Sequence, residues 1–168
     1  MTMPTQLVII AHNLRSTHNV GSLLRTAEGL GVETVYLTGY TPYPQTADDI
    51  RLPHIAAKLN RQISKTALDA QITQQWQHRE NIEELISELK ADGYMVAALE
   101  QTPNALPLPS YKPPQKLAII LGREVEGVEP EVVRQTDLQL VIPMSGSKES
   151  FNVVQAAAMA LYHCLLVA

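Results

Sequence analysis

Short runs of β-branched and aliphatic residues alternate along this chain with segments whose apolar positions recur every three or four residues. That alternation limits the possible folds more than any other feature. Gln6-Leu7-Val8-Ile9-Ile10-Ala11 has no helical spacing and runs into the polar pair His12-Asn13, so it predicts a buried strand. From Asn19 onward Val20, Leu23, Leu24, Ala27 and Leu30 share one helical face, with Gly29 and Gly31 as the stop and Asn19 placed to cap. Residues 32–37 predict a second strand, and residues 39–46, with Pro42 and Pro44, a loop. Asn81 with Glu84 three residues on resembles a capping box ahead of the stripe Ile82, Leu85, Ile86 and Leu89, which ends before Gly93. Residues 94–99, 117–121 and 138–142 read as further strands, 103–114 as a loop, 130–136 as a short helix and 151–167 as a last helix. Such an order predicts an α/β fold, a mostly parallel sheet flanked by helices.

A chain of 168 residues without linker or internal repeat is expected to fold as a single domain over residues 1–168. Its longest nearly apolar stretch, residues 156–168, is shorter than the ~20 residues needed to cross a bilayer. Residues 1–6 hold no basic group, so neither a membrane span nor an export signal is expected. Cys164 is the only cysteine, which excludes an intrachain disulfide and a Cys-rich zinc site and fits a reducing cytoplasm.

Charge limits the partners. With 13 Lys+Arg against 17 Asp+Glu, the net charge of −4 argues against a general polycation for nucleic acid, and any such site must be local. The one locally basic stretch is residues 51–68, where Arg51, Lys58, Arg61 and Lys65 occur without an acidic residue and the last three lie near one helical face. It is either a nucleic-acid surface or an ordinary solvated helix face. The last helix poses a different problem, because between Phe151 and Ala168 only Asn152, Gln155 and His163 are polar. A helix apolar all round must be covered all round. The sheet of so small a chain covers one side, which leaves a second subunit as cover for the other, unless the helix is a central core element.

Three stretches carry more glycine and hydrogen-bonding residues than packing requires, and each follows a predicted strand, where open α/β sheets bind ligands. In the first, Ser16, Asn19 and a helix N-terminus make an anion pocket, although Asn19 also suits a plain cap and Arg25 a solvated helix position. In the second, Gly122 lets a ligand approach the backbone and Glu124 accepts hydrogen bonds from an amine or hydroxyl. That stretch has neither the G-x-G-x-x-G spacing of a dinucleotide fold nor the G-K-[ST] of a P-loop. In the third, Ser150 and Asn152 stand together at the start of the apolar helix, and capping accounts for only one of them.

The series Asn13-x-Arg15-Ser16-x-x-Asn19-x-Gly21-x-x-x-Arg25, Leu121-Gly122-x-Glu124-x-x-Gly127 and Ile142-Pro143-Met144-x-Gly146-x-x-x-Ser150-x-Asn152-Val153 resembles the three motifs of the SpoU-type branch of the SPOUT methyltransferases. The resemblance implies transfer of a methyl group from S-adenosylmethionine to a ribose 2′-hydroxyl of RNA, a C-terminal deep trefoil knot and a homodimer. It implies that the donor is held by backbone groups around Leu99, Gly122 and Ile142 and by the loop carrying Met144, Ser150 and Asn152. It also implies that Asn19, Arg25, Glu124, Ser150 and Asn152 form the catalytic set.

Methyl transfer from a sulfonium releases a neutral thioether and asks for no metal. The ribose hydroxyl is a poor nucleophile until it loses its proton or its developing charge is stabilised. A guanidinium stays protonated, so Arg25 is expected to clamp the adjoining phosphate and polarise the ribose oxygen, with Asn19 orienting it. Glu124, the substrate phosphate and water are all open as proton acceptor. Arg15, Ser16, Arg25, Lys58, Arg61 and Lys65 are the expected RNA contacts, with transfer RNA favoured over ribosomal RNA. A module that binds RNA or the donor without catalysis is the alternative. The sequence departs from the motifs at Phe151, expected only to reshape packing, and at Arg123 and Val128; Arg123 is expected to alter how the second motif meets RNA or donor.

Overall fold

The computed structural model describes residues 5–168; the expectation about residues 1–6 therefore lies partly outside the described residues. Strands β1 (Gln6–His12), β2 (Thr34–Thr38), β3 (Trp76–Arg79), β4 (Met95–Leu99), β5 (Leu106–Pro107), β6 (Lys116–Leu121) and β7 (Leu138–Val141) form one sheet in the order β3-β2-β1-β6-β4-β7-β5. Every pairing is parallel. Helices α1 (Thr17–Leu30), α2 (Pro53–Ala67), α3 (Ala70–Thr73), α4 (Ile82–Ala91), α5 (Pro130–Val133) and α6 (Val153–Tyr162) flank it, and a π-helical turn, His163–Val167, continues α6.

Both faces of the sheet are covered, which is why its strands read as unbroken apolar runs. Leu7, Ile9 and Ala11 of β1, with Leu117, Ile119 and Leu121 of β6, join the core under α1, α2, α3 and α6. Val8, Ile10, Ala118 and Ile120 face the opposite core, closed by Ile82, Leu85, Ile86 and Leu89 of α4 and Val132 of α5. Each fully buried Leu or Ile contributes about 1.5–3 kcal/mol relative to exposure.

Local chemistry fixes the helix ends. Ser16, not Asn19, caps α1: its Oγ accepts from the Asn19 N–H at 3.2 Å, so the helix starts earlier than its apolar spacing indicates. Asn81 Oδ1 accepts from the N–H groups of Glu83 (2.9 Å) and Glu84 (3.2 Å), which supplies the Asn half of a capping box. At Gly21 a Cβ would lie 2.2 Å from Ile63 O and Thr66 Oγ1, so a bare backbone is what lets α1 and α2 meet. Short β3 and β5 escape periodicity, because Trp76-Gln77-His78-Arg79 is a polar edge strand and Leu106-Pro107 lies inside a proline-rich loop.

The last helix begins at Val153, two residues later than expected, with Asn152 as its cap. One side of it is open, which departs from a central core element. Ala157, Ala160, Leu161 and Cys164 are in the core, whereas Met159, Tyr162, Leu166 and Val167 remain exposed, Leu166 by 62%. Among the described residues no helix is long and apolar enough to cross a membrane.

Candidate active site

Strands β6, β4 and β7 are neighbours, and the loops leaving their carboxyl ends enclose a cavity of about 150 Å3. Of the residues expected to hold a donor, Leu99, Gly122, Ile142 and Ser150 line it, together with Glu124. Met144 and Asn152 do not line it. Phe151 is on the wall, so it shapes the cavity itself rather than packing alone. Gly122 is needed for a reason other than ligand approach: a Cβ there would lie 2.3 Å from Gly127 C and Val128 N. Its own loop folds back on it, closed by paired backbone bonds between Arg123 and Gly127 at 3.1 and 3.0 Å. Glu100, on the same wall, accepts from Val128 N–H at 2.8 Å and Gln101 N–H at 2.9 Å. No local motif marks Glu100.

The three glycine-rich stretches converge on Glu124. Its carboxylate accepts from the N–H groups of Ser16 (3.0 Å) and Arg15 (3.2 Å) and from Asn19 Nδ2 (3.2 Å), at the N-terminus of α1. Asn19 Oδ1 in turn accepts from Asn152 Nδ2 at 3.3 Å, while Asn152 Oδ1 accepts from Val154 N–H at 2.8 Å and caps α6. A single chain of side chains, Glu124–Asn19–Asn152, thus ties together segments more than a hundred residues apart. Partial burial pushes the Glu124 carboxyl up, but the hydrogen bonds from Ser16, Asn19 and Arg15 outweigh it and hold the group below the usual carboxylate range.

A second knot of polar groups braces the same loops. Asn13, in the left-handed region at φ 56°, donates from Nδ2 to Glu129 Oε1 at 2.9 Å. Glu129 also faces Arg123 at 3.6 Å and His12 Nε2 at 3.5 Å. Arg123, expected to alter how the second motif meets RNA or donor, lines the cavity while its Nε faces Glu129, and Val128 is a buried core residue. Burial drives the His12 pKa down, and its Nδ1 lies 2.8 Å from Thr38 Oγ1. His12 and Glu129 were not singled out by sequence, because their meeting depends on the sheet bringing β1 beside β6.

The profile of the SpoU rRNA Methylase family matches residues 6–162. The chain belongs to that family. The 23S rRNA (guanosine(2553)-2′-O)-methyltransferase RlmP of Bacillus subtilis is 30% identical over 158 residues, 93% of this chain and 56% of that protein. The tRNA (guanosine(18)-2′-O)-methyltransferase of Borreliella burgdorferi is 28% identical over 166 residues, 95% of this chain and 66% of that protein. The chain therefore spans between about half and two thirds of the length of these two curated relatives. Among solved structures, the AdoMet-bound rRNA methyltransferase of Sinorhizobium meliloti superposes with a TM-score of 0.78 at 18% identity, over 96% of this chain and 56% of that one. The A. aeolicus TrmH/SpoU tRNA modifying enzyme gives 0.78 at 21%, over 98% and 77%. These likenesses establish the SpoU fold.

Within this SpoU fold not every expected residue reaches the cavity. Arg25 is exposed on α1, bordering a separate depression with Ser22, Thr26 and Thr66. It is therefore not assembled with Glu124 and Asn152 in one chain, because six residues of helix turn it to another face from Asn19. Lys58, Arg61 and Lys65 are exposed along α2. Arg51 leaves the basic set, since it is held by Asp49 and by the carbonyls of Tyr43 and Pro44 at 3.0 Å.

Proposed function

We propose that this chain transfers a methyl group from S-adenosylmethionine to a ribose 2′-hydroxyl of RNA, with transfer RNA the favoured substrate. The observation that carries the reading is the Glu124–Asn19–Asn152 chain at the mouth of a cavity built on three adjacent strand ends. The names of the two relatives described above, both guanosine 2′-O-methyltransferases, support it.

The cavity suits the donor. Leu99, Leu121, Leu140, Ile142 and Phe151 offer apolar walls for a purine ring, backbone groups of the loops at 99–101 and 122–127 offer hydrogen bonds, and Glu100 and Glu126 complement a cationic ligand. When bound, the donor supplies an electrophilic methyl on a sulfonium. Glu124, ionised and engaged by several N–H groups, holds the loops in register, and Glu124, a substrate phosphate and water are the candidate acceptors of the hydroxyl proton. Asn19 and Asn152 fix the approach of the ribose, and Ser150 stands exposed at the rim. Arg25 clamps phosphate and polarises the ribose oxygen. Its position outside the cavity of its own chain favours a homodimer in which a second copy carries it to the site, with the exposed face of α6 as the joint. The C-terminal knot implied by the motifs belongs to the same reading. The cytoplasm is the proposed compartment.

The test is methyl incorporation from labelled S-adenosylmethionine into unfractionated transfer and ribosomal RNA, followed by mapping of ribose methylation. Ribose methylation at defined transfer RNA positions is expected. Incorporation into ribosomal RNA alone corrects the substrate, and donor binding without transfer to any RNA overturns the catalytic reading.

A further inference from the structure

Arg15 and Thr17, at the start of α1, also border a second depression of about 440 Å3, completed by Tyr40, Tyr43, His78 and neighbouring loop residues. We propose that this depression receives a nucleobase of the RNA beside the methylated nucleotide, stacked on the Tyr40 ring, with Arg15 on the adjoining phosphate. The inference rests on the RNA methylation proposed above and extends it to a specificity subsite.

The two tyrosines have different roles. Tyr43 is used up on both faces: His78 stacks on it with ring centroids 4.0 Å apart and planes at 18°, and the Arg51 guanidinium lies 3.6 Å from its centroid. Asp49 and two carbonyls fix Arg51 in turn, so this sandwich is a rigid, charge-balanced wall. Tyr40 is 55% exposed, with no aromatic ring stacked on it among the described residues. Its backbone, however, is fixed. Tyr40 N–H donates to Asn13 Oδ1 at 3.0 Å, Thr41 Oγ1 accepts from Leu14 N–H at 3.0 Å, and Thr41 Oγ1 donates to Ala11 O at 2.9 Å. At Gly39 a Cβ would lie 2.0 Å from Asn13 Oδ1, so the loop is pressed against the first motif.

An exposed aromatic ring on a fixed backbone gives up little freedom when a flat ligand stacks on it. Single-stranded RNA is read in this way, by unstacked bases laid on aromatic rings beside a cation that tracks the phosphates. Arg15 supplies that cation: its side chain is 61% exposed and lies beside the Tyr40 side chain, and its carboxylate partner is Glu126 at the surface, 3.1 Å away, an ion pair weak enough to exchange for phosphate. Because the backbone N–H groups of Arg15 and Ser16 bind Glu124, a base held here is positioned relative to the catalytic loops.

The experiment compares the parent chain with Tyr40→Ala and Tyr40→Phe, using an unmodified transfer RNA pool as probe. Binding affinity, KM for RNA, kcat, affinity for S-adenosylhomocysteine and thermal unfolding are measured. Tyr40→Ala is expected to weaken RNA binding and raise KM by about tenfold, the loss of one stacked base. Donor-product affinity and unfolding should not move, and Tyr40→Phe should restore binding because it keeps the ring face. Tyr40→Ala matching the parent would overturn the subsite, and so would Tyr40→Phe failing as badly as Tyr40→Ala. If the parent binds RNA but methylates none, the proposed activity fails, and the Tyr40 dependence of binding still decides the subsite.

Discussion

Glu124 ties the second motif to the first. Its carboxylate occupies the N–H groups of Arg15 and Ser16 and the amide of Asn19, and its pKa is held below the usual range. A folded pKa below the unfolded one stabilises the fold above the ordinary carboxylate range and loses that contribution as pH falls through the depressed value. The parent chain should therefore lose stability as pH drops below about 4.5, the unperturbed value for Glu. Glu124→Gln should start less stable at neutral pH and fall less steeply, as unfolding measured between pH 3 and 6 will show. Turnover makes a separate check. If Glu124 organises and does not accept the proton, Glu124→Gln lowers kcat without removing a limb from the pH–rate profile, whereas loss of an acid limb would make it the base.

Helix α1 is the element on which the site depends. Its cap Ser16, its first-turn Asn19 and its close approach to α2 at Gly21 all bear on where the first motif stands. Ser16→Ala should cost about 1 kcal/mol. Gly21→Ala should do more, because the added methyl meets Ile63 O and Thr66 Oγ1 and pushes α2 away, to be read as a lowered Tm. Helix α2 carries the test of the basic face. If Lys58, Arg61 and Lys65 contact phosphates, replacing all three by Gln should reduce the slope of log affinity against log salt by about 2 while donor binding is unchanged. An unaltered slope would make the face an ordinary solvated one.

At the scale of the whole molecule, the open side of α6 and the isolation of Arg25 ask the same question. Leu161 is fully buried in its own chain, so Leu161→Ala probes the fold and should cost about 2–5 kcal/mol. Tyr162→Glu and Leu166→Glu instead place charge on the exposed face. If α6 joins two copies, the parent should sediment as a dimer and these variants as folded monomers with little turnover. Mixing Arg25→Ala with Ser150→Trp, which obstructs the cavity rim, should recover activity if Arg25 acts across the joint; two inactive proteins that stay inactive when mixed would place Arg25 on its own chain's site.

The sequence by itself determined the layer structure and the motifs. Unbroken β-branched runs require a sheet covered on both faces, and polar, glycine-rich stretches after strands mark where packing gives way to binding. Local chemistry also made Gly31 a helix stop, with φ at 76°. The tertiary structure decided what each motif residue touches. Ser16 took the cap from Asn19 and freed it for Glu124 and Asn152, contacts across more than a hundred residues that no local spacing encodes. It set Arg25 off the cavity and Phe151 on its wall, and it turned Arg123 toward Glu129, because helical phase and strand order fix direction. A run of residue types specifies which face a side chain is on; only the packed sheet specifies what lies opposite.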